Sequence, residues 1–201
     1  MKSLLSWFLL IVSIAVLVSS CAKSDDSKTA TTDNSSSSSS LGVFVGVGYL
    51  GNIVRSTDNG ASWDNATSQT ATTLKGVTFG NNTFVAVGNS GNIVRSTDNG
   101  ASWDNATSTS AISLNAVTFG NNTFVGVGSS GNIVRSTNNG ASWDNATSPT
   151  DYWLGGVTFG NNTFVGVGLN GNIVRSTDNG ASWDNATYPT GNWLWGVTFG
   201  E

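Results

Sequence analysis

Histidine is absent from this chain of 201 residues, cysteine occurs once, at Cys21, and glutamate once, at Glu201. A single thiol forms no intramolecular disulfide. Without histidine there is no Cys/His zinc site and no histidine-based triad or proton shuttle. No metal, cofactor or catalytic residue is therefore expected. Charge is scarce as well: 8 Lys and Arg against 12 Asp and Glu, a net charge of −4 and no basic cluster. Nucleic acid, which needs a Lys/Arg footprint for its phosphates, is excluded as a partner. Beyond the N-terminal apolar run, the Ala/Leu/Glu/Lys vocabulary of helices is nearly missing. Gly, Asn, Ser and Thr stand in its place with Val and Phe, the composition of an all-β fold.

The N-terminus is of another kind. Lys2 precedes an apolar run from Leu4 to Val18, too short for the roughly twenty residues of a membrane span and right for a signal sequence. The run ends in Val18-Ser19-Ser20-Cys21. This resembles the bacterial lipobox, in which a branched aliphatic and two small residues precede the cysteine that is acylated. The resemblance implies a signal peptide over 1–20, lipidation at Cys21 and export to a bacterial membrane. Ala22 after the cysteine, rather than Asp, favours the outer membrane or cell surface over the inner membrane. Residues 22–40 have no aromatics and end in a serine homopolymer. With too little apolar surface to offset the entropy of ordering, they are expected to be a flexible tether.

From residue 41 onward the chain repeats itself. The segment GNIVRSTDNGASWDNAT starts at Gly51, Gly91 and Gly171, and at Gly131 with Asn138 in place of aspartate, a period of 40 residues. In the second unit the pattern predicts strands over 74–79, 83–87, 92–96 and 102–107. Gly80-Asn81-Asn82, Asn89-Ser90-Gly91 and Asp98-Asn99-Gly100 are the turns between them. A four-stranded antiparallel unit of this length matches a propeller blade, which buries both faces only by stacking on its neighbours. WD40 does not fit, because its Gly-His and Trp-Asp signatures are out of register.

The stretch Ser56-Thr57-Asp58-Asn59-Gly60-Ala61-Ser62-Trp63 resembles the Asp-box, and it recurs in register three more times. With the GVTF and FVAVG strands before it, the unit is similar to the photosystem II stability/assembly factor family and its bacterial relatives. That resemblance implies a structural hairpin carried by Asp58 and Trp63, Asp98 and Trp103, Asn138 and Trp143, and Asp178 and Trp183. The aspartate accepts hydrogen bonds from the turn and the tryptophan packs over the blade; Asn138 keeps the acceptor and loses the charge. The strand order predicts a domain over 41–201 of four blades, in which the C-terminal strand completes the first blade and closes the ring. Two copies pairing into a larger ring and an open, solenoid-like arc are the alternatives.

Comparing the copies separates two faces. Gly-Asn-Asn and the Asp-box turn are nearly invariant, whereas the differences fall in the second turn and in the link between units. Aromatics collect there, at Tyr152, Trp153, Tyr188, Trp193 and Trp195. They read either as binding anchors for a protein or glycan or as caps on the core in unconstrained loops. Arg55, Arg95, Arg135 and Arg175 recur at one strand position. They form either a cationic ring or, paired with Asp64-type carboxylates, an ordinary solvated face. Asp-boxes also occur in sialidases, but glycoside hydrolysis needs two carboxylates in different environments. Asp151 is the one aspartate of the domain outside the repeat. The expected function is a lipid-anchored binding or scaffolding module, not an enzyme. A glycoside hydrolase, and an amplified array with no ligand, are the other two readings.

Overall fold

The computed structural model describes residues 42–200. The predicted signal peptide, Cys21, the tether over 22–40 and Leu41 lie outside the described residues. Strands β1 (Phe44–Val47), β2 (Ile53–Ser56) and β3 (Asp64–Asn65) form the first sheet, followed by β4 (Thr67–Ser68). The second sheet is β5 (Leu74–Gly80), β6 (Thr83–Gly88), β7 (Ile93–Ser96) and β8 (Ser102–Asn105), followed by β9 (Thr107–Ser108). The third is β10 (Leu114–Gly120), β11 (Thr123–Gly128), β12 (Ile133–Ser136) and β13 (Ser142–Asn145). The fourth is β14 (Leu154–Gly160), β15 (Thr163–Gly168), β16 (Ile173–Ser176) and β17 (Asp184–Asn185).

The turns follow from their residues. Gly80 pairs with Thr83 across Asn81 and Asn82, both with positive φ. A two-residue loop with both φ positive twists with the strands it joins, and asparagine tolerates that conformation. Asn99 and Gly100 supply positive φ between β7 and β8. The strands expected in the second unit are present within a residue at most boundaries, with one exception. The predicted strand over 102–107 breaks at Ala106, whose N–H donates to Ile93 O at 2.9 Å. Thr107 and Ser108 then pair in parallel with Ser142 and Trp143 of the next sheet. The expected purely antiparallel four-stranded unit is thus corrected: the second and third sheets each take in a fifth, parallel strand from the unit before.

The core lies between sheets, not within any one of them. Val85, Val87 and Ile93 of the second sheet pack with Leu114, Phe124, Val134 and Trp143 of the third. Val125, Val127 and Ile133 meet Leu154, Phe164, Val174 and Trp183 in the same way. Alternate residues on a strand face opposite ways, so Ala86 and Val94 pack back toward Ile53 of the first sheet. This double duty is why β6 and β11 are buried at every position.

The expected clasp is not formed. Among the described residues β1 pairs with β2 alone, and the first sheet has three strands. Residues 193–200, where the sequence predicts the closing strand, carry no strand. They lie against the fourth sheet as β5 lies against the first: the Leu194 N–H donates to Gly168 O, at the end of β15, at 3.0 Å, as the Leu74 N–H does to Gly48 O, just past β1, at 2.9 Å. Among the described residues there is no closed sheet around the four; the segment predicted to finish the first sheet rests against the fourth.

Candidate functional site

Antiparallel pairing puts the β5–β6 and β7–β8 turns at one end of each sheet. The β6–β7 turn and the links between sheets fall at the other end. The first end is the conserved one. Ser56 Oγ donates to Asp58 Oδ1 at 2.7 Å and accepts the Gly60 N–H at 2.8 Å. Asp58 accepts the Ser62 N–H at 2.9 Å and the Ser62 hydroxyl at 2.6 Å. The Trp63 Nε1–H donates to Gly60 O at 3.1 Å. The other copies repeat this. In the third, Asn138 Oδ1 accepts the Ser142 N–H at 3.0 Å, and Asn138 Nδ2 donates to Ser142 Oγ at 2.8 Å, reversing that one bond. Trp103 and Trp143 are each 1% exposed and Trp183 5%, whereas Trp63 is 47% exposed. The first sheet has no predecessor among the described residues to cover its tryptophan.

The hydroxyls of Ser62, Ser102 and Ser182, followed by their N–H groups, hold the carboxyls of Asp58, Asp98 and Asp178 at about 2. An unfolded aspartate titrates near 3.9. A lowered folded value gives stability that is complete above the unfolded value and lost as pH falls through the folded one. The melting temperature should therefore drop between roughly pH 4 and pH 2. Asp58→Asn, Asp98→Asn and Asp178→Asn together should flatten that slope, which thermal melts across the range would read.

The variable end carries the aromatics, and the structure sorts the five expected site residues into two groups. Tyr152 and Tyr188 line one cleft of about 600 Å³ with Pro149, Thr150, Asp151, Asn172 and Asn185. Both tyrosines are exposed. Asn172 is buried; its Nδ2 donates to Thr150 Oγ1 at 2.6 Å, and its Oδ1 is buried with no partner. Trp153, Trp193 and Trp195 form the other group. The Trp153 and Trp195 rings meet edge-on with centroids 5.3 Å apart, and Trp193 and Trp195 are 5.4 Å apart. Asn172 and Asn185 escape a comparison of copies because every copy has them. What distinguishes them is the company of Asp151, Tyr152 and Tyr188. The arginines belong to neither group. Arg55 lies opposite Asp64 in the strand register, and the Nε atoms of Arg55, Arg95 and Arg135 are buried without a partner.

No protein-family model matches the chain, and no curated protein matches it in sequence. Solved structures do match. YCF48 bound to D1 peptide superposes with a TM-score of 0.62 at 18% identity, over 79% of this chain and 54% of that one. The fold is that of a β-propeller. YCF48 from Cyanidioschyzon merolae gives a TM-score of 0.58 at 18% identity, over 77% of this chain and 55% of that one. An ancestral GH74 enzyme gives 0.60 at 18% identity, over 77% of this chain and 25% of that one. The chain thus spans about half the length of the YCF48 structures and a quarter of the GH74 enzyme.

Proposed function

We propose that this chain is an exported, lipid-anchored binding module that takes a basic side chain of an extended protein segment into the cleft of Asp151, Tyr152 and Tyr188. The anchor rests on Val18-Ser19-Ser20-Cys21. The observation that carries the binding reading is the cleft itself. A carboxylate and two exposed tyrosines, none of them repeated in the other units, line one cleft with Asn172 and Asn185. Tyrosine faces and a carboxylate both attract a Lys or Arg head group. The YCF48 neighbour with its bound peptide supports a protein partner on the same fold. Trp153, Trp193 and Trp195 extend the apolar surface beside the cleft.

The GH74 neighbour favours a second reading, a glycan-binding or hydrolytic site. Against hydrolysis, Asp151 is the one carboxylate among the residues lining the cleft, and the reaction requires a pair. Peptide and glycan arrays probed with the purified protein separate the two readings. Peptide hits rich in Lys and Arg are expected. Tyr152→Ala with Tyr188→Ala should weaken them about tenfold or more, the loss of an aromatic anchor, while Asp151→Asn should remove their salt dependence. Binding confined to glycans, or glycan turnover lost in Asp151→Asn, would overturn the protein-binding reading.

A further inference from the structure

The tyrosine cleft is short of free hydrogen-bond acceptors. Pro149 O accepts from Asn185 Nδ2 at 3.3 Å, and Thr150 O accepts the Ser148 hydroxyl at 3.0 Å. Thr150 Oγ1 accepts from Asn172 Nδ2 at 2.6 Å and from the Tyr152 N–H at 3.1 Å. Tyr152 O accepts the Gly131 N–H at 2.9 Å. Asn172 Oδ1 is buried from solvent. No lysine or arginine lines the cleft, so the charge of Asp151 meets no cation there. What remains for a ligand is chiefly that carboxylate and two tyrosines, Tyr152 at 46% exposed and Tyr188 at 42%.

The repeat folds without these three side chains. At the position of Tyr152 the other units carry Thr72, Ile112 and Asn192; at that of Tyr188 they carry Ser68, Ser108 and Ser148. Asp151 has Ala71, Ala111 and Gly191 as its counterparts. Neither tyrosine belongs to a core cluster. An aromatic pair and a carboxylate that packing does not require are therefore available for recognition.

We infer that the cleft selects a quaternary ammonium group, the trimethylated lysine side chain or the choline head group, over an unmodified lysine or arginine. The inference rests on the reading of the cleft as a cation site and names the cation. An ammonium brings three N–H donors and a guanidinium five. A single carboxylate cannot satisfy them all, and a donor stripped of water against a tyrosine ring is left unpaired, at a cost. A quaternary ammonium keeps the positive charge and has no N–H to satisfy. Its methyl groups rest on aromatic faces by cation–π attraction, and Asp151 balances its charge.

The test is titration of the purified full chain, in a non-ionic detergent, with Lys-containing peptides, each in unmodified and trimethyl-lysine forms. Choline and its uncharged analogue, with carbon in place of nitrogen, are titrated beside them. Trimethylation should tighten peptide binding about tenfold, the worth of a desolvated cation–aromatic contact, and choline should bind where the analogue does not. Tyr152→Phe with Tyr188→Phe should keep the preference, because the ring faces remain. Tyr152→Ile with Tyr188→Ser, residues that other units carry at these positions, should remove it and leave the melting temperature nearly unchanged. Equal affinity for the two peptide forms, or an analogue that binds as tightly as choline, would overturn the inference and leave the basic-side-chain reading standing. Choline bound with no peptide would keep the inference and overturn the protein partner. If neither the peptides nor choline bind, both fall.

Discussion

Replacing Gly131 by alanine should cost about 3 kcal/mol or more, the combined effect of a strained backbone and a clash that nothing flexible can relieve. Gly131 has φ +64, and a Cβ built there falls onto the Thr150 carbonyl oxygen, a backbone atom. Its own N–H donates to Tyr152 O at 2.9 Å. Turn and link are thus stitched together at the point where the aromatic cleft begins, and the substitution must separate them. For a domain of this size each kcal/mol shifts the midpoint by about 2–4 °C, so a fall near 10 °C is expected. Thermal melts of Gly131→Ala would read it. A change within a degree or two would show that the link is not held as described.

The second large effect is at Trp143. It is almost wholly buried, packs in the core shared by the second and third sheets, and donates from Nε1 to Gly140 O at 3.1 Å. Its ring lies 6.3 Å from that of Phe124. Trp143→Ala would leave a void between two sheets and strip the Gly140 carbonyl of its partner. A loss of about 3–5 kcal/mol is expected, measured by denaturant unfolding. Tyr152→Ala is the contrast. Its side chain stands in the open cleft, and stability should change by less than about 0.5 kcal/mol while binding suffers. The pair separates residues that hold the sheets together from residues that face a ligand.

Much of this was legible before any coordinates. Four near-identical copies of a Gly/Asn-punctuated unit predict four sheets, and Asn81-Asn82 states its own turn type. The break at Ala106 was not legible. Asn-Ala-Thr contains no Gly or Pro, and what ends the strand is a neighbouring edge at Ser142 that only packing supplies. Closure was illegible for a related reason. Phe119 and Phe159 settle over Gly80 and Gly120 of the preceding sheets, a packing between sheets that strand counting does not encode. At the variable end, Tyr152 and Tyr188 stood out because other copies lack them. Asn172 did not, because its role comes from the residues around it and not from its own identity.

The shared core has a consequence for how the chain assembles. Where each sheet buries one apolar face against the next, and all offer nearly the same face, side-chain chemistry cannot tell a correct neighbour from a later one. The second sheet could dock on the fourth almost as well as on the third. The short links are then what keep the order, by making the adjacent unit arrive first. Lengthening the link between Ser148 and Leu154 should thus produce skipped-unit misfolds during refolding, beyond the loss of the link's own bonds to Gly131 and Asn172.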